Sequence, residues 1–169
     1  LTFKDNVCIA AEDIDGDGKV EIAVGAQWNP GNTTDRKQSG SVHFLLRPED
    51  LSKPWKAMAL PHDPTTHRMR RVKMGDTWNL VVLPLHGEGN KGGAGKGVNV
   101  TAYTIPAKGR GQVGVRILDD TLHLTHNFDH LGDHILVAGK EGVKEVHPKP
   151  GMLELPGMSN GAGEIRMFS

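Results

Sequence analysis

An all-β chain made of repeated four-stranded antiparallel units, about three blades of a β-propeller, is what three features of the sequence predict. Glycine accounts for 22 of 169 residues and proline for 10, so turns should be frequent and long helices are not expected. Three apolar runs, Glu21–Gly25, Asn79–Leu83 and His134–Gly139, recur with their centres Ala23, Val81 and Leu136 spaced 58 and 55 residues apart. Each run has a strand-like partner before it and a glycine-led strand after it that ends near Pro48, Pro106 or Pro148. A single four-stranded sheet cannot bury both faces, so repetition at this period points to blades that stack on one another. A β-sandwich of about a dozen strands would match the strand content without explaining the period.

In chain order, the first blade (5–61) should hold strands at Val7–Ala11, Glu21–Gly25, Gly40–Arg47 and Lys56–Leu60. Alternation and β-branched residues mark the second blade (67–118) at Met69–Met74, Asn79–Leu83, Gly97–Ile105 and Val113–Leu118. The third (122–157) should use Leu122–Phe128, His134–Gly139, Gly142–His147 and Met152–Leu155, and residues 161–169 look like the first strand of a further blade. Propellers close with about four to eight blades, so a ring of about seven is expected, completed by further blades or by another chain. The first residue is Leu1, and the chain reads as a processed product or a part of a longer one.

Lys plus Arg and Asp plus Glu number 20 each. Zero net charge argues against nucleic acid or an anionic membrane as partner. No apolar run approaches the roughly 18 residues of a membrane span. The single cysteine, Cys8, lies in an apolar strand and reads as a buried structural thiol.

The first two strands flank Asp13-Ile14-Asp15-Gly16-Asp17-Gly18-Lys19-Val20-Glu21. Carboxylates at alternate positions, with glycines that let the backbone fold back, can converge hard oxygens on one Ca²⁺. The expected ligands are Asp13, Asp15, Asp17, Lys19 and Glu21, and the ion is expected to be structural. An EF-hand would place its bidentate Glu where this chain has Val24, so that motif is excluded. The corresponding connections of the other blades, Gly75-Asp76 and Asp129–Asp133, lack the pattern.

In a blade whose strands run outward in order, the first and third turns share one end of the propeller. The second turns and the interblade connections share the other, which collects His62, His67, His86, His123 and His126. Neutral imidazoles suit Zn²⁺, and three of them leaving an open fourth position would form a Lewis-acid site. The glycine-rich run Gly87–Gly97 could form a mobile flap over it. Trp28, which begins a loop at that end, is the best candidate for a sugar platform.

The Asp13–Glu21 segment followed by Ile-Ala-Val-Gly resembles an FG-GAP or VCBS repeat, the Ca²⁺-bearing hairpin of integrin-type and secreted bacterial propellers. The segments His67-Arg68-Met69-Arg70, Leu83-Pro84-Leu85-His86-Gly87-x-Gly89-Asn90 and Leu122–Asn127 resemble the propeller domain of the aldos-2-ulose dehydratase family. That family's cupin segment has no counterpart here. The resemblances imply a secreted or periplasmic protein and dehydration of a sugar ketone. His86 and His126, then His67, are candidates for base or metal ligand with the roles unseparated, and Arg68 for holding a substrate oxygen. The alternative is a non-catalytic propeller acting as a binding or assembly module.

Overall fold

The computed structural model describes residues 1–106 and 108–147 and the backbone of 165–168. The described elements are all strands: β1 (Cys8–Glu12), β2 (Glu21–Ala26), β3 (Ser41–Leu46), β4 (Lys56–Leu60), β5 (Thr66–Met74), β6 (Thr77–Pro84), β7 (Val100–Thr104), β8 (Gly114–Asp119), β9 (Thr125–Leu131), β10 (His134–Gly139), β11 (Gly142–Val146) and β12 (Ile165–Phe168). They pair only with sequence neighbours into three antiparallel meanders, β1–β4, β5–β8 and β9–β12. The fold is thus all-β, with three propeller-type blades, as the repeat period predicts.

The expected strand at Met152–Leu155 lies outside the described residues. Ile165–Phe168, expected to open a further blade, pairs antiparallel with β11 from Val143↔Phe168 to Val146↔Ile165 and supplies the fourth strand of the third sheet. An unpaired outer edge on β11 offers backbone hydrogen bonds to any strand that reaches it, and spacing alone could not tell which segment would.

Two cores explain how the sheets stack. Ala10, Ala23, Val42 and Phe44 face Met69, Leu80, Val82 and Tyr103 between the first and second sheets. Val72, Val81, Leu83 and Val100 face Phe128, Ile135, Val137 and Val146 between the second and third. The middle strand β6 feeds both, with Leu80 and Val82 on one side and Val81 and Leu83 on the other, all buried. This is why Leu80–Leu83 is a continuous apolar run and not an alternating one. Across the second interface, Lys144 and Asp119, each 2% exposed, form an ion pair at 2.9 Å, and Lys144 also donates to the Thr121 hydroxyl.

The strands β1, β5 and β9 lie side by side as the innermost of each sheet, tied where Arg70 donates to the Phe128 carbonyl at 2.9 Å. The β5–β6 and β9–β10 turns are two residues long and begin with Gly75 and Gly132 at φ of 60° and 61°. In the first sheet the same connection is the long 13–20 loop. The second connection is long in the first two sheets (27–40 and 85–99) and only Lys140-Glu141 in the third. No helix among the described residues is long and apolar enough to cross a membrane.

Candidate functional site

The long second loops of the first two sheets and the 61–65 connection pack together at one end. Arg36 donates to both carboxylate oxygens of Glu88 at 3.1 and 2.9 Å and lies 3.1 Å from Asp63. The Arg36 hydrogen bond holds the Glu88 carboxyl below its ordinary range. The run Gly87–Gly97, expected as a flap, is pinned by Asn90. Asn90 is fully buried, donates to the carbonyls of Lys96 and His123 at 2.9 and 2.7 Å, and accepts from the Gly93 N–H at 2.8 Å. Glycine is required at Gly97 because a Cβ there would overlap the Asp120 carbonyl. Gly87 and Gly97 serve close packing, whereas Gly89, Gly92, Gly93 and Gly95 supply positive φ along the turn between them.

Inside this frame a row of rings crosses all three sheets. His67, at the start of β5, stacks on Trp28 with centroids 4.8 Å apart and meets His126, at the start of β9, edge-on at 4.9 Å. Each histidine occupies the same irregularity. The β5–β6 register runs Thr66↔Pro84 then Arg68↔Leu83, leaving His67 as an extra residue. The β9–β10 register runs Thr125↔Gly139 then Asn127↔Ala138, leaving His126 as the extra one. A bulge re-aims its side chain out of the pleat, and here two equivalent bulges aim two imidazoles at each other.

The surrounding backbone is strained to hold them. Gln27, just before Trp28, has φ of 55°, and the β-branched, fully buried Thr65, two residues before His67, has φ of 59°; such conformations cost roughly 1–3 kcal/mol and concentrate at functional sites. Thr65 is fixed by the Ser39 hydroxyl, by the Leu85 N–H donating to its carbonyl and by its own hydroxyl on the His86 backbone. His67 is 6% exposed, and neither ring nitrogen has a hydrogen-bond partner among the described residues. Burial, then the Arg68 and His126 charges, push it down to about 4, so it is neutral at pH 7.

The other sequence candidates fall nearby with different partners. Arg68 donates to the His67 carbonyl at 3.2 Å. His86 Nδ1 is buried without a partner, and burial lowers its proton affinity. His123 Nδ1 pairs with Glu141 at 2.8 Å, a carboxylate that sequence reasoning did not single out. The ligand atoms of His67, His86 and His126 do not gather as a three-donor group among the described residues. Cys8 is pushed up to about 11 by burial, as befits an inert thiol.

At the opposite end, one oxygen each from Asp13, Asp15 and Glu21 lie within 4.8 Å of one another. Ligands about 2.4 Å from a Ca²⁺ ion lie no more than about 4.8 Å apart, so this spacing is compatible with one shared ion. Asp13 accepts the N–H groups of Gly16, Asp17 and Gly18 at 2.7, 3.2 and 2.9 Å, and Gly16 and Gly18 supply the positive φ this tight loop requires. The Glu21 carboxyl is raised by desolvation and by the charges of Asp15, Asp17 and Asp13. A cation placed among these oxygens would relieve that repulsion, so the residues fit the ion. Asp17 lies outside the trio, with its oxygens on the Lys19 N–H and ammonium at 2.9 and 3.4 Å. The Lys19 side chain, being cationic, is no ligand; only its main-chain carbonyl has a lone pair to give.

Residues 9–45 match the FG-GAP repeat. The FG-GAP match spans most of β1 and β3, all of β2 and the whole acidic loop. No curated protein matches the chain. Beside the FG-GAP loop a cavity of about 260 Å³ is lined by Lys19, Glu21, Arg47, Lys108 and Arg110 among others. It gathers the first and third turns at one end, as the blade frame requires. A second three-donor group, His134, Glu145 and His147, lies on the third sheet, where sequence reasoning assigned those histidines no function. The β10–β11 register, Ile135↔Val146 to Gly139↔Gly142, sets 134 opposite 147.

Proposed function

We propose that this chain is part of a calcium-stapled propeller whose ring-lined end carries out proton transfer on a small polyhydroxylated ketone, dehydrating it. The observation that carries this reading is the pair of matching bulges bearing His67 and His126. Neutral His67 holds a lone pair suited to removing the proton beside a carbonyl. The electron pair released there expels the hydroxyl on the next carbon. A proton from His126 lets it depart as water, and the Arg68 guanidinium balances the developing oxyanion. His86 and the His123–Glu141 pair border the same end and would orient substrate hydroxyls.

The test is turnover of an aldos-2-ulose followed by the absorbance of the unsaturated product. His67→Ala and His126→Ala should each lower kcat by about 10²–10⁴-fold; full activity in both would refute the assignment. A binding or assembly module is the second reading, favoured by apolar side chains on the outer faces of the stack. Ile9 is 65% exposed on the first sheet and Leu136 41% on the third. Ca²⁺ at the Asp13–Glu21 loop serves either reading and suits a secreted protein.

A further inference from the structure

The His134–Glu145–His147 group lies outside both sites described above. His134 opens β10 and His147 follows the end of β11. The pairing Ile135↔Val146, continued by one residue, sets the two histidines opposite each other, and Glu145 shares their face two residues before His147. Ile135 and Val146 point into the core against the second sheet. The trio therefore occupies the other face, with Leu136 and Val143, 41% and 44% exposed.

His134 Nδ1 and His147 Nε2 approach the same oxygen, Glu145 Oε1, at 2.5 and 2.7 Å. The two rings meet edge-on with centroids 4.5 Å apart. The Glu145 side chain is only 13% exposed, so its charge has been drawn out of water toward two nitrogen donors. The far nitrogen of His134 lies 3.9 Å from Asp133 Oδ1, beyond hydrogen-bond reach.

We propose that His134, Glu145 and His147 bind a divalent transition ion, Zn²⁺ by preference. Two imidazoles and one carboxylate form a borderline donor set that suits Zn²⁺ over Ca²⁺, with the exposed side left to water or to a group from a neighbouring surface. Three ligands from one hairpin need no rearrangement beyond a slight spreading of the donor atoms, and the ion would clamp β10 to β11 at the end that carries the acidic loop in the first sheet.

Titration of the chain with Co²⁺, read by its visible absorption and reversed by Zn²⁺, tests this. About one equivalent should bind, and His134→Ala and His147→Ala should each weaken binding by more than about tenfold. Asp15→Asn and millimolar Ca²⁺ should leave the absorption unchanged. His134 is exposed, so its replacement is compatible with folding, and a retained β-sheet circular dichroism spectrum would verify this. No binding at micromolar Zn²⁺, which would mean a hydrogen-bonded trio only, or binding that survives both substitutions, overturns the proposal.

Discussion

Lys144 shows how much a single residue can carry between blades. Its ammonium is buried against Asp119 and Thr121, so Lys144→Met would leave Asp119 charged, 2% exposed and without its cation. Breaking such a pair costs about 3–5 kcal/mol. Chemical denaturation should show that loss, and the double replacement Lys144→Met with Asp119→Leu should recover much of it. His67 sets a pH dependence of known sign. Its affinity for a proton falls from an ordinary value of 6.5 to about 4 on folding. Between these values the unfolded chain takes up a proton that the folded chain refuses, so stability declines as pH falls through that window and levels off below it. His67→Phe, which keeps a ring against Trp28, should flatten the decline in urea midpoint between neutral pH and about pH 5; an unchanged slope would assign it to other groups.

At the scale of elements, the acidic loop is a two-residue turn elsewhere in the repeat and an extended loop once. Asp13 already closes it through three backbone N–H groups, so an ion adds stability to a formed loop. With Ca²⁺ at about a hundred times its dissociation constant the gain is about 2.7 kcal/mol. Chelation should therefore lower the melting temperature by several degrees, and Asp15→Asn should abolish that response. The first eleven strands and their order were legible because the Ala23, Val81 and Leu136 runs are apolar and glycine or proline bounds them, whereas the pairing of Ile165–Phe168 with β11 was not. The acidic loop was legible because its alternating carboxylates are local in sequence. His134 with His147, and Glu141 with His123, were not, since each depends on register across a hairpin. The paired bulges left a trace that spacing could have caught: Thr66-His67 and Thr125-His126 repeat at 59 residues, close to the blade period. The anchoring of the Gly87–Gly97 run was not legible, because glycine content does not show which carbonyls the buried Asn90 amide will bind.

Over the whole molecule, the ring row and the acidic loop sit at opposite ends. The FG-GAP loop and its neighbouring cavity lie where the first and third turns meet. The Trp28–His67–His126 row lies where the second turns and interblade connections meet, one ring from each blade. Strain at Gln27 and Thr65, the buried Asn90 and the Arg36–Glu88–Asp63 network all converge on that end, which is the outlay expected for a pre-organised site. On the proposed function, the two bulged imidazoles from adjacent blades act on one ligand. The most direct measurement is nitrogen-detected NMR of the histidine rings during titration with a non-reacting analogue of a sugar ketone. Saturable shifts of the His67 and His126 signals with one common dissociation constant, lost in His67→Ala, are predicted. Ring signals that do not move, or that move independently with different constants, would contradict it.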